Sequence, residues 1–302
     1  MRVQFDPEVF NTPSAFHVLD QLFRFFETER HQWDTRPIGN GLGWAAESVF
    51  DSPWLQEQSR TVLSIREFLE KIFTVSGYAT PHKLVLLVKG GSDVLDRAER
   101  TVSVAHAHPV LARPAYVFVE NQFSDVRFLT RVLRAFDAWS GLEGFFKEKF
   151  IEWEHAGGTG QIKDMVAQRM EDPAIIPARI LVVRDGDRTP EGLSEETKKS
   201  IERLRQWCAE TGVKLHVLTK RDSENYLPKR LLPQQRTDSV KVGKRYEDLS
   251  PTEQDVFDMK KGFGGKVGEA FDQDISRQEF EQVCQSHPAE LEALVQQFWE
   301  LL

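Results

Sequence analysis

Cysteine is scarce in this chain, and most motifs that announce a chemistry are missing. Its 302 residues include two cysteines, Cys208 and Cys284, far apart and without a Cys-x-x-Cys spacing. That excludes a disulfide framework and a structural zinc site, as suits a reducing compartment. No apolar run approaches the roughly 18 residues of a membrane span, and the opening MRVQFDPEVF lacks the basic-then-apolar layout of a secretory signal. Basic charge is not in excess: 39 Lys and Arg stand against 47 Asp and Glu, a net charge of −8. This argues against a strongly basic nucleic-acid wrapper but leaves room for a local patch. Hydrolase elbow (Gly-x-Ser-x-Gly), zincin pair (His-Glu-x-x-His), dinucleotide fingerprint (Gly-x-Gly-x-x-Gly) and phosphate loop (Gly-x-x-x-x-Gly-Lys-Ser/Thr) are all absent. Together these absences predict a soluble, cytoplasmic globular protein.

What is present divides in two. With 40% apolar residues the chain can build ample core, and its length suggests two units. Residues 1–112 read as a mainly helical or α+β region, aromatic-rich over 1–60, acting as a docking surface or lid. Phe16, Leu19, Leu22, Phe23 and Phe26 recur at helical spacing, predicting a helix over 14–29, with a second over 56–73 and a loop at 37–43. Residues 113–302 read as the catalytic unit with a C-terminal helical extension. Apolar runs at 83–89, 116–119, 150–153, 179–183 and 213–218 predict buried strands. Helix-compatible stretches at 124–139, 160–170 and 194–211 separate the last four. The expected class is α/β, a mostly parallel open sheet flanked by helices.

In such sheets chemistry gathers beyond the carboxyl ends of the strands. Glu120 ends the strand at 116–119, with Asp125 five residues on. Asp185-Gly186-Asp187 follows the strand at 179–183, and Glu224-Asn225-Tyr226 follows that at 213–218. Carboxylates on one rim repel one another, and a hard divalent cation such as Mg²⁺ or Mn²⁺ relieves the repulsion. On extended backbone Asp185 and Asp187 point the same way and can serve two shared ions, an arrangement suited to phosphodiester cleavage. Glycines 157, 158 and 160 keep the rim open to a phosphate backbone. Asp185-Gly-Asp187 on its own is equally a good turn sequence.

These residues resemble a TOPRIM domain, the α/β fold of topoisomerases, primases and several nucleases. They are most similar to that of the overcoming-lysogenization-defect (OLD) nucleases and related phage-defence effectors. The resemblance covers roughly residues 113–230 and extends, with fewer matching residues, to about 266. It implies a metal-dependent endonuclease acting on DNA or RNA, with Glu120, Asp185 and Asp187 holding the metals. Asp125 and Glu224 become further ligands or orienters, and Lys260 or Lys261 the assisting lysine. The family reads Glu-Gly-x-Ser-Asp after its first strand, whereas here Glu120-Asn-Gln-Phe-Ser-Asp125 is one residue longer. Residues 89–93 (Lys-Gly-Gly-Ser-Asp) keep the shorter spacing with lysine in the glutamate's place, which favours Glu120. The missing phosphate loop implies that an ATPase or sensor is a separate protein, in a setting of bacterial defence. The alternative is a TOPRIM-like protein that binds nucleic acid or a partner without catalysis.

Residues 219–246 carry eight basic side chains (Lys220, Arg221, Lys229, Arg230, Arg236, Lys241, Lys244, Arg245) against Asp222, Glu224 and Asp238. This local excess suits phosphates beside the rim, or is simply a solvated face. His106 and His108, expected on a loop without carboxylate company, are not assigned a metal. Cys208 is expected to pack inside its helix.

Overall fold

The computed structural model describes residues 1–34, 49, 51–58, 67, 69–70, 83–91, 93–158, 160–233, 235 and 246–302. The expected loop at 37–43, nearly all of the expected helix at 56–73 beyond residue 58, and Arg236, Lys241, Lys244 and Arg245 lie outside these residues. The chain forms two units. One comprises residues 1–115, 169–179 and 299–302, the other 116–168 and 180–298.

Among its described residues the first unit carries a sheet as well as helices. It holds a five-stranded sheet, ordered β2-β1-β3-β5-β4, made of β1 (Arg2–Phe5), β2 (Gln32–Trp33), β3 (Val85–Lys89), β4 (Leu95–Asp96) and β5 (Thr101–Ser103). β1 pairs in parallel with β2 and β3, and β3 with β5; β4 alone runs antiparallel. Three of these strands are two or three residues long, too short for alternation to register in the sequence. Helix α1 (Phe16–Glu27) buries Phe16, Leu19, Leu22, Phe23 and Phe26, the face its spacing predicts. Its rings join Phe5, Phe10, Trp33 and Trp54 in a core of edge-on and stacked contacts. Residues 169–179 return to this unit because Ala174 and Ile176 enter its core. Buried Arg179 there donates to the Arg113 carbonyl at 2.6 Å. His106 lies not on a loop but on a helix, Val104–Ala112, with Asp93 3.1 Å from its Nδ1.

The second unit is the open α/β sheet. Its strands are β6 (Ala115–Val119), β7 (Ile151–His155), β8 (Ile180–Arg184) and β9 (Lys214–Val217), ordered β7-β6-β8-β9. β6, β8 and β9 are adjacent and parallel. β6 and β8 bury every residue, as their unbroken apolar runs require. From β6 the chain goes to β7 on one side, then crosses back to β8 on the other. The switch point of the sheet therefore lies between the carboxyl ends of β6 and β8.

The expected helix at 124–139 is two helices, Ser124–Ala135 and Trp139–Lys147, broken where Asp137 takes φ +57°. The helix Glu195–Thr211 starts where expected, Ser194 accepting from the Thr197 N–H, and ends at left-handed Gly212. Cys208 is buried in it, and burial pushes its thiol up to about 12. No described helix is long and apolar enough to cross a membrane.

Candidate active site

β6, β8 and β9 each end in a carboxylate-bearing loop, and the three loops interlock. The Asp185 N–H donates to Glu120 Oε1 at 3.2 Å, joining the ends of β6 and β8. The Ser223 N–H donates to Asp185 Oδ1 at 3.0 Å, joining the ends of β8 and β9. The Ser223 hydroxyl lies 3.0 Å from Asp125 Oδ1 and 3.4 Å from Glu224 Oε2. Glu224 Oε1 lies 3.5 Å from Lys260 Nζ. Glu120, Asp125, Asp185 and Glu224, more than a hundred positions apart at the extremes, thus belong to one hydrogen-bonded cluster.

Local sequence explains each placement. Asp125 opens the helix Ser124–Ala135, and its carboxylate closes the loop behind it by accepting from the Asn121 N–H at 2.8 Å. Asp185-Gly186-Asp187 is not a plain turn: Gly186 and Asp187 donate to the carbonyls of Lys220 and Arg221, prolonging the β8–β9 pairing. A Cβ on Gly186 would lie 2.2 Å from the Lys220 carbonyl oxygen, so only glycine fits. Asp222 caps a short turn, Ser223–Tyr226, that buries Glu224 and Asn225 almost completely. Asn225 donates to the carbonyls of Gln254 (2.8 Å) and Phe257 (3.0 Å), tying down the segment that leads into the helix Met259–Phe263 and Lys260.

Electrostatics reflect the crowding. Burial first, then Asp187 and Asp125, raise Glu120 to about 7 against the pull of Arg184 and the Asp185 N–H. Burial, followed by Asp125, Glu120, Asp222 and Glu224, raises Asp185 well above the usual carboxylate range. Asp222 is raised to about 6, by burial foremost and by Glu224, against the pull of Lys260. Burial works to lower Lys260, yet Glu224, Asp222, Asp185 and Asp125 together carry it above the ordinary lysine value. Ser223 has one hydroxyl proton for two carboxylates, and Glu224, Asp222, Asp185 and Asp125 act on one lysine. Bound protons or a cation would relieve the repulsion that Lys260, Arg184 and Arg221 leave.

Comparison with known proteins returns no match: no family model, no curated protein and no solved structure. The site is therefore read from its own geometry.

Several sequence-based assignments change. Asp187 does not run on as extended backbone beside Asp185. It takes φ +51°, and its carboxylate meets buried Arg184 at 3.1 Å. Arg184 also stands 3.9 Å from Glu120, so one guanidinium serves both acids. Lys220 is no phosphate contact: it is buried, paired with Asp255, bonded to the Val283 carbonyl and set over the Tyr226 ring. The Asp255 carboxylate and the Val283 carbonyl hold its ammonium inward. Arg221 pairs with Asp258 at 3.1 Å, and Arg230 is taken by Glu279, leaving Lys229 exposed beside it. Both candidate lysines are exposed on the same short helix, but Lys260 alone is paired with a clustered carboxylate, its Nζ 3.5 Å from Glu224.

Sequence reasoning missed Arg184, Asp222 and Ser223 as site residues; their adjacency to Asp185 and Glu224 was the available signal. It also missed Gly268, where a Cβ would meet Ser124 Cβ at 3.0 Å and Glu224 Oε1 at 3.4 Å. A cleft of about 450 Å³ lined by Lys229, Arg230, Tyr246 and the buried Lys220–Asp255 pair includes none of the clustered carboxylates.

The carboxylates suit a hard divalent cation in donor chemistry and charge. Among the described residues, no group of three His, Cys, Asp or Glu stands ready-arranged to hold a metal ion. Their oxygens instead face the N–H and O–H donors described above.

Proposed function

We propose that this protein is a TOPRIM-type endonuclease, dependent on Mg²⁺ or Mn²⁺, that hydrolyses phosphodiester bonds of DNA or RNA. The observation that carries the reading is the convergence of Glu120, Asp125, Asp185 and Glu224 at the switch point of a parallel sheet, with Glu120 and Asp185 raised by burial first and then by neighbouring carboxylates. Perturbed acids at such a place mark a functional site more often than a structural one. Glu120, Asp125, Asp185 and Glu224 would hold the ions, with Asp187 beside Glu120. Bound there, the ions would supply an activated water and stabilise the leaving oxygen. Lys260, kept protonated by its acidic neighbours, is set to offset charge developing on a phosphate. Arg184 holds Glu120 and Asp187 in register, and Ser223 spaces Asp125 from Glu224. By family analogy alone, a separate ATPase or sensor restrains the nuclease in phage defence.

A second reading, a TOPRIM-like binding protein without catalysis, is favoured by Asp125, whose carboxylate already accepts from Asn121, Ser124 and Ser223 as a structural clasp would. One experiment separates the two. Plasmid DNA and a tRNA pool are incubated with wild type, Glu120→Ala and Asp185→Ala, in Mg²⁺, Mn²⁺ or EDTA. The nuclease reading expects metal-dependent cleavage that both substitutions lower at least about a hundredfold. Cleavage equal in all three proteins rejects the site. Retained nucleic-acid binding with no cleavage under any metal favours the second reading.

A further inference from the structure

Phe123 is the one large apolar side chain exposed among the described residues, at 74%. It sits inside the loop that separates the proposed family's spacing from this chain's, between Glu120 and Asp125. Burying a phenylalanine is normally favourable, and the molecule forgoes that gain here. The loop is not loose. Asn121 Oδ1 accepts from the N–H groups of Phe123 (2.9 Å) and Ser124 (3.3 Å), and Asp125 closes the loop through the Asn121 N–H. The ring is therefore presented to solvent from a fixed backbone. Two residues from Asp125, its Cα lies within about 7.6 Å of that residue's Cα.

We propose that Phe123 is a stacking platform for an unpaired base next to the phosphate engaged at the carboxylate rim. The substrate is then single-stranded, or locally unpaired, nucleic acid. This rests on the nuclease reading above and names its substrate class. Every base has a flat π face, and one exposed ring is enough to receive it. A stable protein interface buries on the order of 800 Å² per side around an apolar core. Along the chain Phe123 follows exposed Asn121 and Gln122, and no second large apolar side chain is exposed among the described residues to build such a core.

The test uses single-stranded oligonucleotides, DNA and RNA, carrying the fluorescent base 2-aminopurine, and the same sequences as duplexes. Binding is measured in Ca²⁺, and cleavage separately in Mg²⁺ or Mn²⁺. Wild type is expected to quench the fluorescence on binding the single strands. Phe123→Ala should weaken that binding by roughly 5- to 150-fold and lose the quenching. Phe123→Trp should keep both, and duplex binding should be unchanged by either substitution. An unaltered melting temperature in Phe123→Ala separates lost stacking from lost folding. Wild-type cleavage with equal affinity and quenching in Phe123→Ala overturns the stacking role and leaves the nuclease reading standing. Equal losses on duplex and single strand also overturn it, as does loss of a protein partner with nucleic-acid binding intact. A wild type that neither binds nor cleaves nucleic acid overturns both.

Discussion

At Gly186 a single methyl group decides whether two loops can meet. The Gly186 and Asp187 N–H groups pair with the Lys220 and Arg221 carbonyls, and this contact places Asp185 over the Ser223 N–H. A Cβ at 186 would lie 2.2 Å from one carbonyl oxygen and 2.4 Å from another, that of Leu218. Backbone has no rotamer with which to yield, so the loops must part. Gly186→Ala is expected to cost at least about 1–3 kcal/mol in urea unfolding. An unchanged midpoint would mean that the β8 and β9 loops do not meet as described. Asp185-Gly-Asp187 was legible as a candidate acid pair, but the sequence could not say why its middle residue is glycine. The carbonyls that demand it lie more than thirty positions away.

Among elements, the four-residue turn Ser223–Tyr226 has an influence out of proportion to its length. Asn225 satisfies the Asp222 N–H and two carbonyls near the helix Met259–Phe263, and the Tyr226 hydroxyl donates to Glu290 at 2.8 Å. Asn225→Ala removes the side-chain donor from both partly buried carbonyls, leaving Gln254 only the Phe257 N–H, at about 1–3 kcal/mol. The loss should be local. Amide hydrogen exchange is expected to quicken across residues 251–263 while β6 and β8 keep their protection. Uniform acceleration through both strands would show that Asn225 supports the sheet rather than the Lys260 segment. The strands β3, β6, β8 and β9 were readable as apolar runs, and the helix Glu195–Thr211 from its cap. β1, β2 and β5 were not, because a strand of two to four residues offers too few positions for a period of two to stand out.

At the scale of the whole molecule, the acid cluster sets a pH dependence opposite to that of ordinary paired carboxylates. Glu120 is raised from about 4.5 to about 7, and Asp185 and Asp222 also move upward. Between the two pKa values the folded chain holds protons that the unfolded chain has released, so stability falls as pH rises through this window. For Glu120 the loss is on the order of 3 kcal/mol when complete. In EDTA the melting temperature is expected to fall from about pH 5 to about pH 8. Glu120→Gln should flatten part of that slope, and Mg²⁺ or Mn²⁺ should restore stability most strongly at the high end. A melting temperature that rises across the same interval would show the cluster to be compensated from within. Glu290, lowered despite its burial by the His216 imidazole 3.8 Å away and by hydrogen bonds from Thr219 and Tyr226, acts elsewhere. Its contribution is held above the ordinary glutamate value and lost only in more acid solution.

The sequence by itself determined the alternation of strands and helices in the second unit, the helix caps, the buried face of α1 and the positions of the strand-end acids. Each of these rests on periodicity or on contacts within a few residues, which a linear string records. Only the tertiary structure decided that the first unit carries its own sheet, that Lys220 turns inward, that Asp187 answers to Arg184, and that Lys260 rather than Lys261 faces the acids. Those outcomes depend on burial and on charge partners brought together from distant positions, and electrostatic energy depends on distance through space rather than along the chain.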